Sequence, residues 1–229
     1  STLMRSSAAS DVYKRQNVNC GTATVTISGK GNYTGKVEET FQITQKIPEK
    51  DVDYKVALPA DPIYDGKPRE ASVWTKTGVG EVTVWYNDST ALPVHAGTYN
   101  VAVEIASSDN FSAVKRMDIG SFSINRRTIS LDTAVLKIED KTYNGRDDDA
   151  QISGLAFSNL PDGAVLSEGT DYTFATRYAS AEVGERDVTI AVTLTNENYT
   201  LKDGNCIVKG KILPKTVELV VIAKDAVYT

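Results

Sequence analysis

The sequence predicts an all-β chain of tandem small β-sandwich modules arranged as beads in a line, and three observations lead there. Ser, Thr, Val, Tyr and Gly are abundant while Met and Trp number two each in 229 residues, a composition that favours strands. The stretch "GTATVTISGKGNYTG", Gly21 to Gly35, alternates small polar and apolar residues and then runs into three glycines around a lysine. Its pattern returns as "GTYNVAVEIASSDNFS" from Gly97 and "GERDVTIAVTLTNENYT" from Gly184, so one structural unit is repeated along the chain.

Taken in order, residues 1–16, "STLMRSSAASDVYKRQ", show neither strand alternation nor a helical stripe; they are expected to be a disordered or artefactual leader and stand outside the fold. Residues 17–46 read as the C-terminal half of a repeat. After Gly21, the apolar positions Ala23, Val25 and Ile27 have a period of two, the signature of a strand with one buried face, and a second strand, "KVEETFQI", closes on Ile43. An isolated hairpin is marginal in water, so this segment is expected to fray or to lean on the following module.

Residues 47–126 form a complete repeat. Its front half, "DPIYDGKPREASV", carries an Asp-Gly turn signal; its back half runs through Tyr99, Val101, Val103 and Ile105 and closes on Ile124. Residues 127–215 form a second, with Asn-Gly in "EDKTYNGRDDDAQI", then Val188, Ile190, Val192 and Leu194, closing on Ile212. The length supports about six or seven short strands in each, at sandwich-like spacing. Residues 216–229 read as the first strand of a further repeat. The linkers around Gln45 to Pro48, Asn125 to Thr128 and Leu213 to Thr216 are short and each contains Lys or Arg, which implies limited bending between modules.

Each long strand ends on Asn, aromatic, hydroxyl: Asn32, Tyr33, Thr34; Asn110, Phe111, Ser112; Asn198, Tyr199, Thr200. All three are sequons for glycosylation, as is Asn87, but their common repeat position reads more simply as a turn motif. The glycines of the first copy are replaced by "SSD" and "TNE" in the others, and no helix pattern follows them. They are therefore turn chemistry and not a phosphate-binding loop, which needs a helix N-terminus behind it.

Charge and cysteine content exclude several functions. Lys plus Arg is 25 and Asp plus Glu 30, a net charge of −5, which has the wrong sign for an electrostatic grip on nucleic acid. No run approaches the roughly 20 apolar residues that span a bilayer, so no membrane insertion is expected of this segment. Cys20 and Cys206 are the only cysteines, too few for a disulfide scaffold; lying in different modules, they are expected to remain unpaired, with Cys206 a buried thiol beside Val208 and Ile212.

The residues "IYDGKP" (Ile63 to Pro68), "EGTDYTF" (Glu168 to Phe174), "VGERDVTIAV" (Val183 to Val192) and "VNCGTATVTISGKGNYTGKVEETFQI" (Val18 to Ile43) resemble the tandem Ig-like repeats of large bacterial surface proteins, the MBG and YDG-type repeats. The resemblance covers nearly everything from Asn17 onward. It implies Ig-like sandwiches in a secreted, cell-surface or wall-attached stalk or adhesin, with no enzymatic activity, no catalytic residues and no cofactor. Two departures stand out: "NGRDDDAQ" replaces the usual Gly-Lys-Pro continuation, and Gly210 occupies the position of Phe41 and Phe122.

Few residues carry chemistry. His95 is the only histidine; without a second base or acid it reads as a structural loop residue, and with two distant cysteines it makes no zinc site. Asp147, Asp148 and Asp149, with Asp140, are the one candidate cluster for Ca2+, although they lack the spacing and glycine of a calcium loop. "LPKTV" at Leu213 to Val217 has the outline of a sorting signal but lacks its Gly and an apolar anchor, and reads as a linker. No fixed Lys, Asn and acid pattern for an isopeptide crosslink is visible. In "EVTVWYND", Val82, Val84 and Tyr86 share one face and Thr83 and Trp85 the other, so burying the valines exposes Trp85, unless it packs under a neighbouring loop or against the next module, which is the favoured reading. Trp85, Tyr86 and Trp74 are thus the candidate ligand-binding residues, since exposed aromatics stack on sugars or anchor a protein partner. The expectation is a monomeric spacer module; the alternative is a module that binds a glycan or a host or cell-surface protein around Trp85.

Overall fold

The computed structural model describes residues 10–13 and 19–226; the rest of the 1–16 leader and the last three residues of the 216–229 segment lie outside the described residues. The described residues form strands and loops, with no helix among them. They gather into two compact units: one holds the chain through Asp61 with Pro68–Pro93 and Thr98–Ser123, the other holds Pro62–Lys67, Val94–Gly97 and the chain from Ile124. Two short segments of the middle repeat therefore fold with the repeat that follows them.

In the first unit, β1 (Ser10–Tyr13), β2 (Gly21–Gly29) and β3 (Lys36–Ile43) make an antiparallel sheet in that order. The Gly29 amide donates to the Gly35 carbonyl at 2.9 Å, and Gly31 takes φ 71°, a conformation that costs glycine nothing. The glycines of the opening stretch thus close a hairpin. Ala23 is buried, whereas Val37 and Phe41 of β3 are exposed.

The middle repeat pairs β4 (Tyr54–Ala57) with β5 (Ser72–Thr75), and places β7 (Gly97–Ile105) between β6 (Val82–Tyr86) and β8 (Val114–Ile124). The two sheets share a core of Tyr54, Val103 and Ile105, closed by Val56, Val79, Val82, Val84, Val114 and Ile119. Five strands form where six or seven were expected. Pro48, Pro59, Pro62 and Pro68 lie in the front half, and each removes a ladder donor; pairing there shrinks to single bridges, Lys46 with Phe111 and Ile63 with Asn125.

The second unit is the fuller sandwich. Its elements are β9 (Arg127–Asp132), β10 (Lys137–Ile138), β11 (Lys141–Thr142), β12 (Ile152–Ser153), β13 (Ala156–Ser158), β14 (Tyr172–Tyr178), β15 (Gly184–Leu194), β16 (Tyr199–Leu201) and β17 (Asn205–Leu213). One sheet has the order β11-β17-β15-β14, a second β13-β9-β16, and β10 pairs β12. All contacts are antiparallel except β11 with β17 and β16 with β9, which are parallel. Val188, Ile190 and Val192 of β15 join Tyr172, Tyr178, Leu136, Ala150 and Ile212 in the core, with Leu131 and Phe157 of the facing sheet packed on them. Phe157 meets Tyr172 edge to face at 4.9 Å.

Gly210 now has a reason. A Cβ there would lie 2.8 Å from Ile138 Cγ2, 2.9 Å from Val188 Cγ2 and 3.0 Å from Tyr178 Cε1. The volume that Phe122 fills in the middle repeat is occupied here by neighbours. The segment read as the start of a further repeat forms no strand over residues 214–226, and Val217, Leu219, Val220, Val221 and Ile222 are all exposed.

Candidate functional site

The three aromatic candidates do not form one surface. Tyr86 ends β6 on the same face as Val82 and Val84, and period-two alternation carries it inward: it is 3% exposed. Its hydroxyl accepts a hydrogen bond from the Ala71 amide at 2.7 Å, its ring meets Phe122 edge to face, and burial raises its pKa. Tyr86, one of the three candidate ligand-binding residues, is thus a core residue.

Trp85 points to the other face, as alternation requires, but is half-buried. The Arg116 guanidinium lies 4.7 Å from its ring centroid, held in turn by Asp88 at 3.0 Å and by the Asn87 carbonyl. This cation-π contact covers one face of the ring. Trp74, on β5, is 52% exposed, with Lys55 Nζ 5.9 Å from its ring centroid. Of the three, Trp74 is the open aromatic.

The acidic cluster is consumed by cations. Asp147 pairs with Arg177 at 3.2 Å, Asp148 with Arg146 at 3.0 Å, and Asp149 with Lys141. Asn144 Nδ2 also donates to Asp149 at 2.6 Å. The Lys141 hydrogen bond, then that of Asn144, hold the Asp149 carboxyl below its ordinary value. Asp147 and Asp148 line an open groove of about 660 Å³ with Thr176, Arg177 and Thr189, and no group of three potential ligands converges on a metal position among the described residues.

Both cysteines are free thiols. Cys206 lies opposite Ile190 on β17, and burial raises its pKa, which suits an inert thiol.

The best-built polar arrangement involves the repeated Asn. In the first unit, Asn110 Oδ1 accepts from the Cys20 amide at 2.8 Å, and its Nδ2 donates to Asn19 Oδ1 at 3.0 Å. Its carbonyl accepts from the Lys46 amide at 3.0 Å. In the second unit, Asn198 Oδ1 accepts from the Ala96 amide at 2.8 Å, its Nδ2 meets His95 Nδ1 at 3.2 Å, and its carbonyl accepts from the Arg127 amide at 2.9 Å.

Asn19-Cys20 and His95-Ala96 each stand immediately before the glycine of a long strand. The same joint is thus built twice, from an Asn at one repeat position and a pair of residues at another. Tyr64 adds an edge-to-face contact with Tyr199 at 5.4 Å, and Arg127 Nη1 donates to the Tyr64 carbonyl at 3.3 Å. His95, which reads from sequence as a loop residue, is an acceptor in this joint. The common repeat position of the three sequons carried the signal; what an amide at that position bonds to is a tertiary fact.

No curated protein and no solved structure matches the chain. Residues 59–125 match the family model described as MBG domain, so this stretch of the chain, within the middle repeat, is similar to the MBG domain family.

Proposed function

We propose that this chain is a non-enzymatic spacer segment of a bacterial cell-surface or secreted adhesin-like protein, in which successive β-sandwich repeats set the reach of a functional region elsewhere. The observation that carries the reading is the joint made twice by Asn110 and Asn198, on top of the MBG domain match over residues 59–125. Side-chain amides and linker backbone spent on holding one repeat to the next suit a mechanical role; short connections keep the modules from swinging independently.

A second reading, a glycan- or protein-binding module, is favoured by one feature, the exposed Trp74. A screen of the full chain against immobilised glycans and surface proteins separates the two. The spacer reading expects no ligand; a ligand whose binding is lost in Trp74→Ala would replace it by the binding reading. Sequencing the parent locus across both ends tests the cellular setting: an export signal, more repeats and a wall anchor are the expected result, and an uninterrupted gene without them would remove the stalk.

A further inference from the structure

The joint has unfilled halves at two other places in the chain. Its donor half is the turn Asn-aromatic-hydroxyl, present a third time as Asn32, Tyr33 and Thr34. Asn32 is exposed, Tyr33 is 64% exposed, and the Asn32 side chain makes no hydrogen bond to another described residue. Its receiving half is the residue pair before a long-strand glycine, present a third time as Glu182 and Val183 before Gly184.

Asn19 and His95 present a side-chain acceptor to the Asn amide; Glu182 puts a carboxylate at that position, also an acceptor. The Cys20 and Ala96 amides are donors to Asn Oδ1; the Val183 amide, the corresponding donor, has no partner among the described residues, and both Glu182 and Val183 are exposed.

The third contact is also repeated. Lys46, Arg127 and Lys215 each follow three residues after the closing isoleucine, Ile43, Ile124 and Ile212. The first two donate their amides to the carbonyl of the joint Asn. After Arg127 the chain continues as β9, whose Ile129 is fully buried and whose Leu131 packs on the core, paired in parallel with Tyr199–Leu201. After Lys215 the corresponding residues are Val217 and Leu219, 65% and 85% exposed. They keep the apolar pattern of β9 and lack the strand that covers it.

We infer that Glu182, Val183 and the segment from Lys215 to Leu219 form a docking face for an Asn-aromatic-hydroxyl turn of a further repeat of this kind, and that a second copy of this chain can supply it through Asn32, Tyr33 and Thr34. Asn32 Oδ1 accepts from the Val183 amide, Asn32 Nδ2 donates to the Glu182 carboxylate, the Lys215 amide donates to the Asn32 carbonyl, and the Tyr33–Thr34 backbone adds in parallel beside Lys215 and Thr216, in the register of Tyr199–Thr200 beside Arg127–Thr128. Such a contact is heterologous, joining unlike surfaces of two copies, so it propagates head to tail. It rests on the repeated geometry and not on the spacer reading.

The test is a titration followed by nuclear magnetic resonance. A 15N-labelled chain carrying Asn32→Ala keeps the docking face but lacks the turn; unlabelled wild-type chain is added to about 1 mM, where a contact of a few hydrogen bonds becomes populated. The amide resonances of Val183, Gly184 and Lys215 are expected to shift progressively with wild-type chain and to stay fixed when the added chain is Asn32→Ala.

A labelled Asn32→Ala, Glu182→Ala chain should lose most of the shift. Unchanged β2 and β3 resonances in the Asn32→Ala spectrum separate a lost contact from a lost hairpin. Fixed resonances with wild-type chain, or equal shifts with both added chains, overturn the inference.

Discussion

At Tyr86 one hydroxyl satisfies the Ala71 backbone amide inside the core. Tyr86→Phe keeps the ring and orphans that amide, and an unsatisfied buried donor costs about 1–3 kcal/mol; urea denaturation should show a loss of that size. Gly210 is constrained by volume. Restoring the aromatic of the sibling repeats, Gly210→Phe, drives a ring into Ile138, Val188 and Tyr178, and overpacking a filled core costs about 1–3 kcal/mol or more, so the variant should be less stable by at least that in the same assay. Asp149 supplies a pH dependence. Its pKa is lowered in the folded state, first by the Lys141 hydrogen bond, so its stabilisation is present above the ordinary value of 3.8 and is lost as pH falls through the lowered one. Asp149→Asn lacks this contribution at neutral pH. The stabilities of wild type and variant should therefore converge as the solution is acidified, which thermal melts at a series of pH values will show.

Strands differ in how much sheet surrounds them. β15 is flanked on both sides by β14 and β17 and buries Val188, Ile190 and Val192, whereas β3 is an edge strand with Phe41 and Val37 in solvent. Amide exchange should be slowest in β15 and fast in β3, because exchange follows the local cost of opening. Equal protection of the two would mean that the hairpin has a stable partner. The joint makes a separate claim on exchange. Asn198→Ala removes the acceptor of the Ala96 amide, so that amide should exchange faster while those of β14 keep their rates.

Two compact units with separate cores also bear on the unfolding of the full chain. Trp74 and Trp85 both lie in the first unit, so tryptophan fluorescence follows that unit while circular dichroism follows all the strands. The two transitions are expected not to coincide in urea, since separate cores need not melt together; superimposable curves would show that the units unfold as one. The pairing of segments 62–67 and 94–97 with the later unit gives a physical route by which one repeat stabilises the next. The opening stretch, the alternation of β2, β7 and β15, and the hairpin turn at Gly29 to Gly35 are all legible in the sequence alone, because period two and glycine turns are local properties.

Less local features were not. Alternation assigns Tyr86 and Trp85 to opposite faces, yet only the fold brings Arg116 from β8 over the Trp85 ring. Asp148 and Asp149 find their cations, Arg146 and Lys141, close by in the chain, but the pairing of Asp147 depends on Arg177 of β14, thirty residues on. The equivalence of Asn32, Asn110 and Asn198 is written in the sequence; that this amide binds the residues before a neighbouring repeat's glycine is decided by tertiary structure, because a hydrogen bond between positions about a hundred residues apart leaves no periodic trace in either.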